Sequence, residues 1–507
     1  MQAHTSPLWW AISCLASLLL GAALPALAAN PGWQAELAER DARNKRASAD
    51  LMSQANTLSQ PPESRYNHII TFGQSLASSA EGWPALSTQP GYDNLMLGNS
   101  TRSATYSGDR FVPLGEAAFK PLRAVVQRQA DARVILTPAE VAGLARHAQE
   151  EGESVEIGAL NMARRLYLQH KGLDADPAHL FVASNGATSG RSISQLSKAG
   201  GTGEYRRVLQ AVDQAWSRAQ AEDASYSVSA FFWLQGEFDY SHTNGGINDR
   251  ERYKTLLRQL RDDLDADTAR AIAGQTKMPA FFTYQTDAKS SVKDGSLAIG
   301  MAQWELAREE SNWYLVGPVY PYVDKGTHLS PNGYRWFGQM LGKVYHRVVV
   351  ERKNWQPLSP TGATVVGRDI LIDFHVPHPP LAFDRPYLAH KAVQVEDQGF
   401  VVEDDQGRVA LEKVALAAHS VVHLRAAREL VGQPRIVYAG FTSGGAGGLR
   451  DSDPTVADSH YEYLPEQGMW REANIPALVG KPYPLHNWSI AFEILAEVSQ
   501  ADAAAER

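Results

Sequence analysis

Five short apolar runs, at residues 69–72, 179–184, 228–234, 279–284 and 313–319, punctuate the stretch from Tyr66 to Val350, with helical patterns between them. Such alternation predicts an α/β fold with a parallel sheet covered by helices, because each parallel strand needs a long crossover connection and buries both of its sides. The intervening segments carry helical periodicity. Leu160, Ala163 and Leu166 share a face of 156–170, and Tyr253, Leu257, Leu260 and Leu264 share a face of 250–265. After Pro331 and Gly333, a stripe of Tyr334, Phe337, Met340, Leu341, Val344 and Val348 predicts a closing helix packed on the sheet.

The first run ends in Gly73, Gln74 and Ser75. Glycine permits a sharp turn, which leaves the serine hydroxyl at the carboxyl end of a strand, the edge where open α/β sheets bind ligands. Three other polar stretches fall at the same predicted edge. SNGATSGRSISQL (184–196) is a glycine- and serine-rich turn able to aim backbone N–H groups. WLQGEFD (233–239) offers an amide donor and carboxylates, and VDKGTHLSPNG (323–333) offers an aspartate and a histidine before a helix start marked by Ser330 and Pro331. Taken singly, each has a bland account: a turn serine, a chain reversal, a polar loop, a surface histidine. Together they supply what acyl transfer requires. A serine is a weak nucleophile until a base takes its proton, and the oxyanion that follows needs donors already in place.

FGQS, the glycine turn followed by Ser192 and Ile193, WLQGEFD and GTHLSPNGY together resemble the SGNH hydrolases, in particular the sialate O-acetylesterase-like carbohydrate esterases, over roughly 66–350. The resemblance implies an SGNH-type (flavodoxin-like) three-layer sandwich around a five-stranded parallel sheet. It implies an esterase that removes O-acetyl groups from a carbohydrate through an acetyl-serine. Within it, Ser75 is the nucleophile, His328 the general base and Asp324 the group that orients it. The oxyanion hole is the Ser75 N–H, the Gly190 N–H (with Gly186 as the alternative) and the Gln235 side chain; Glu237 is a possible supporting carboxylate. Three residues, Lys325, Gly326 and Thr327, separate Asp324 from His328, where the family usually has two. Loops 80–116 and 241–247 are expected to set specificity. A lipase or thioesterase on the same scaffold, and a non-catalytic carbohydrate-binding or envelope polysaccharide-assembly protein, are the alternatives.

Outside this region the chain reads more coarsely. Residues 1–28 lack Lys, Arg, Asp and Glu, and an apolar segment at 8–20 precedes Ala26, Leu27 and Ala28, a secretory signal pattern that implies a secreted or periplasmic protein; a retained anchor is the alternative. The only cysteine, Cys14, lies in that segment, so a mature chain would hold no disulfide, cysteine nucleophile or cysteine metal site. Residues 29–62 read as a helical, polar lead-in, 63–353 as the catalytic domain and 500–507 as a polar tail. Proline-punctuated β-rich runs at 354–499 predict an accessory β-sandwich or jelly-roll-like domain, whose Arg450, Asp451, His486 and Trp488 line a sugar groove or form a packing cluster. A net charge of −8 without basic runs argues against nucleic acid. The expected partner is an acetylated carbohydrate, with no cofactor, no metal at His375 and His378, and no stable membrane insertion after signal cleavage.

Overall fold

The computed structural model describes residues 31–241, 245–291 and 297–498. The segment expected to be a signal, with Cys14, part of loop 241–247 and the tail at 500–507 lie outside the described residues. All five expected strands form: β1 (Tyr66–Gly73), β2 (Leu180–Asn185), β3 (Tyr226–Leu234), β4 (Ala280–Gln285) and β5 (Trp313–Pro318). They pair in parallel in the order β2-β1-β3-β4-β5. The sheet is larger than expected. Leu95–Leu97 pairs in parallel with β2, and Phe119–Pro121 closes that edge antiparallel, giving seven strands. Three-residue strands are too short to display a period, which is why they escape a reading of the sequence.

Alternate residues along the strands face two cores. Ile69, Phe181, Phe232 and Phe282 pack with α3 (Val155–Lys171) and α7 (Pro331–Tyr345). Ile70, Val182, Phe231 and Phe281 pack with α4 (Tyr205–Ala221), α5 (Arg250–Leu264) and α6 (Ala298–Glu309). Helices α3 and α7 approach closely through glycines: a Cβ at Gly338 would lie 2.3 Å from the Val155 carbonyl oxygen, and one at Gly342 equally near that of Ala159. Two further helices bear on the site and its surroundings, α1 (Pro31–Ser53) and the single turn α2 (Ser75–Ser78).

Strand order reverses at β1, which has β2 on one side and β3 on the other. The crevice beyond its carboxyl end is therefore the topological switch point, the usual ligand position in such sheets. Gly73 delivers the chain to it. Its φ is +145°, and a Cβ there would sit 2.1 Å from the Leu234 carbonyl oxygen of β3. Only glycine satisfies both demands.

The C-terminal region contributes many strands: β6 (Ser359–Val366), β7 (Asp369–His375), β8 (Phe400–Asp404), β9 (Leu411–Ala418), β10 (Val421–Ala426), β11 (Arg435–Tyr438) and β12 (Phe492–Leu495). One sheet runs β9-β10-β7-β6, extended by Glu497–Val498; the other runs Gly407–Val409, β8, β11, β12. Phe374 of the first meets Phe492 of the second at 6.0 Å between ring centroids. This region is bonded to the end of the large sheet. Gln285 exchanges two hydrogen bonds with the Ala491 backbone, each 2.7 Å, and the Tyr320 hydroxyl donates to the Ser489 carbonyl at 2.8 Å. Helix α1 docks on it too, with Arg40 and Asn44 donating to the Asp373 carboxylate at 2.9 and 2.7 Å. Asp451 is fully buried and accepts from both Asn487 nitrogens, which favours the packing alternative for that cluster. His375 is buried between the Ser48 hydroxyl and the Gln356 carbonyl. Among the described residues, no helix is long and apolar enough to cross a membrane.

The close approach at Gly73 makes a direct prediction. Gly73→Ala should destabilise the protein by about 3 kcal/mol, from backbone strain and overpacking combined. Urea unfolding that finds the variant as stable as the wild type would contradict this account of the turn.

Candidate active site

Ser75 is half-buried and is the first residue of α2, so its N–H has no intrahelical acceptor. Gln74 fixes this position from both sides. Its N–H donates to the Leu234 carbonyl at 3.0 Å, and its side-chain oxygen accepts from the N–H groups of Gly236 and Phe238, both at 3.2 Å. The serine turn and the WLQGEFD loop are thus one hydrogen-bonded unit. After α2 the chain passes through two left-handed residues, Ser79 (φ 72°) and Glu81 (φ 61°), which turn it under the histidine loop.

That loop is closed on itself. The Lys325 N–H donates to the His328 carbonyl at 2.7 Å, the Ser330 N–H donates to the Val323 carbonyl at 2.9 Å, and the Ser330 hydroxyl caps α7 by accepting from the Gly333 N–H at 3.1 Å. Nδ1 of His328 lies 3.1 Å from Oε1 of Glu81. Gln149 donates to the same oxygen at 2.9 Å, and Nδ1 of His147 lies 3.2 Å from Oε2. Burial pushes the Glu81 carboxyl up, but the hydrogen bonds of His328 and Gln149 and the charges of His328 and Lys325 bring it below its ordinary value. The Tyr334 hydroxyl, on α7, donates to the Ala80 carbonyl at 2.8 Å and ties the two segments again.

The structure therefore corrects the expected partner of His328. Asp324 turns its carboxylate the other way, accepting from the Gly326 N–H at 2.9 Å, the Ala389 N–H at 2.7 Å and Lys289 Nζ at 2.8 Å. The physical reason is the tight local turn. With three residues between aspartate and histidine, Asp324 pairs across a bridge with Leu329, and its side chain caps the turn at Gly326. Glu237 does not support the histidine either: it accepts from the Tyr284 hydroxyl and from the Asp287 N–H at 3.2 Å.

Gln235 needs a second correction. It is fully buried, its oxygen accepts from the Tyr253 hydroxyl at 3.0 Å, and its NH2 group donates to the Asp239 carboxylate and to the Arg191 carbonyl at 3.2 Å. Both amide protons are committed, leaving none for an oxyanion. These bonds tie Gln235 to the glycine turn. Asp239 also accepts from the Ile193 N–H at 2.8 Å, so Gln235 and Asp239 grip the chain just beyond Gly190. Gly190 itself is exposed, with φ +68° and open space around it. The alternative, Gly186, has its N–H committed to the Thr71 carbonyl at 2.9 Å.

Glu81 is the residue that sequence reasoning missed. It falls in loop 80–116, far along the chain from His328, and its reach depends on a left-handed backbone at a non-glycine residue. No spacing motif reports that conformation. An acid shortly after the serine was its only trace in the sequence.

Residues 180–347 match the family described as carbohydrate esterase, sialic acid-specific acetylesterase. Over this third of its length the chain is similar to that family. The matched residues include Gly190, Gln235, Asp324 and His328, whereas Ser75 and Glu81 precede them. Among solved structures, the chain is similar to a carbohydrate acetylesterase from Xanthomonas citri (14% identity, 84% of this chain and 80% of that one, TM-score 0.48). It is also similar to a protein from Arabidopsis thaliana (14% identity, 56% and 98%, TM-score 0.36) and to NanS (13% identity, 58% and 99%, TM-score 0.33). No curated protein matches the sequence.

Within the matched residues the Asp239 carboxyl is pushed up to about 6 by burial, against the donors that favour its charged form. An unfolded aspartate ionises near 3.9, at about the model-peptide value. Between these values the folded chain holds the extra proton, so the Asp239 contribution to stability falls as pH rises through the window. Denaturant unfolding across that range should show the wild type losing stability with rising pH relative to Asp239→Asn. Parallel profiles would contradict it.

Proposed function

We propose that this chain is a serine esterase of SGNH type, acting outside the cytoplasm, that releases O-acetyl groups from a carbohydrate through an acetyl-Ser75 intermediate. The observation that carries the reading is the bond between Glu81 and His328, because it holds the histidine by Nδ1 against the segment that Ser75 begins. Acetyl and carbohydrate specificity are supported by the family match.

In this reading Ser75 Oγ attacks the acetyl carbonyl while Nε2 of His328 takes its proton. The bond to the sugar oxygen then breaks, the sugar leaves with the proton from Nε2, and water repeats the sequence on acetyl-Ser75. Glu81 fixes the ring and stabilises the imidazolium, the part played by the third member of a triad. The Ser75 and Gly190 N–H groups receive the oxyanion, each contributing about 3 kcal/mol. Gln235 and Asp239 hold the turn that presents Gly190.

Ser75→Ala should abolish acetate release from nitrophenyl acetate and from whichever of acetylated sialic acid, xylan, peptidoglycan and exopolysaccharide the wild type deacetylates. Full activity in that variant would sink the proposal. Glu81→Gln should lower kcat by about 10²-fold or more with KM little changed, since it removes the charge that supports the imidazolium. Asp324→Asn, affecting a carboxylate bonded elsewhere, should lower kcat far less. The opposite ranking would return the orienting role to Asp324.

A further inference from the structure

Glu81 is held in a backbone conformation that a non-glycine residue adopts only where its surroundings impose it. Lys325 bonds to this backbone. This side chain is buried, and its Nζ donates to the Glu81 carbonyl at 2.7 Å and to the Trp83 carbonyl at 3.1 Å. The same nitrogen lies 4.0 Å from the ring centroid of Trp83 and 5.0 Å from that of Trp470. Trp83 is anchored in turn, its indole N–H donating to the Ala148 carbonyl at 2.7 Å. Trp470 comes from the C-terminal region and also packs edge-on against His147, the second histidine on Glu81, at 4.8 Å between centroids.

We propose that Lys325 is a positioning residue: clamped between Trp83 and Trp470, it holds the Glu81 backbone and so sets the carboxylate that orients His328. The proposal rests on the esterase reading above and extends it to the C-terminal region, which supplies one side of the clamp. The cavity bordered by Lys325, Trp83 and Trp470 measures about 10 Å³, no more than a water molecule needs, so the two rings pack on the lysine without room for a ligand between them. Charge-assisted hydrogen bonds and cation–π contacts both favour the lysine in this place. Burial draws the ammonium down to about 7, opposed by the Glu81 charge. The neutral amine still has two N–H groups, one for each carbonyl, so the clamp works in either form.

The test uses the full chain, nitrophenyl acetate and a serine-directed phosphonate that titrates competent sites. Lys325→Met keeps the apolar stem and removes the donors. Its kcat per titrated site should fall about 10²-fold, the scale of a small misplacement of a catalytic group, with KM within about threefold of wild type and slower labelling of Ser75. Wild-type kcat in the folded variant, or a change in KM alone, would overturn the proposal. If Lys325→Met does not fold, Trp470→Leu decides: kcat lowered about tenfold at unchanged KM supports the clamp, and wild-type kcat overturns it. Ser75→Ala run alongside separates the two claims. An active Ser75→Ala removes the esterase reading, whereas an inactive Ser75→Ala with a fully active Lys325→Met removes only the clamp.

Discussion

The hydrogen bond between Glu81 and His328 is the contact on which the organisation of this site depends. It joins the segment leaving the first strand to the loop entering the closing helix, two parts of the chain held at one sheet edge only by tertiary structure. Everything nearby serves its geometry. Gly73 lets β1 press against the end of β3, Gln74 locks the serine turn to the next loop, and Tyr334 ties the closing helix to Ala80. A carboxylate this buried would ordinarily resist ionisation. Its own hydrogen-bond donors and the neighbouring cation reverse that tendency, and an ionised partner is what a histidine base requires.

The WLQGEFD block acquires a different meaning in this light. Its glutamine and its last aspartate face inward, one donating to Arg191 and the other accepting from Ile193. They act on the backbone of the glycine turn. A motif that reads as substrate-facing chemistry is here bonded to another motif, and Gln235 spends its amide on Asp239, Arg191 and Tyr253.

Much of the half that holds the large parallel sheet was legible in the sequence. Five strands, their parallel pairing and the helices between them follow from apolar runs and 3.6-residue stripes, which are local signals. The placement of Ser75 at the strand end follows from Gly73 for the same reason. The acid beside His328 was not legible, because proximity in sequence pointed to Asp324 while the fold turned that side chain toward Lys289 and Ala389. Edge strands of three residues carried no period to read. The lead-in helix, polar on most sides, showed no apolar face because it docks through Arg40 and Asn44. Nothing local in the C-terminal region signalled that Trp470 would reach the lysine beside Glu81.

The account stands or falls on a covalent acetyl group at Ser75 whose turnover depends on Glu81. Rapid acid quench of the enzyme with nitrophenyl acetate, followed by peptide mass spectrometry, measures it directly. The expected result is one added acetyl on the peptide carrying Ser75, forming and clearing more slowly in Glu81→Gln than in the wild type. Substrate turnover with no acetyl on that peptide, or acetyl kinetics that Glu81→Gln leaves unchanged, would contradict it.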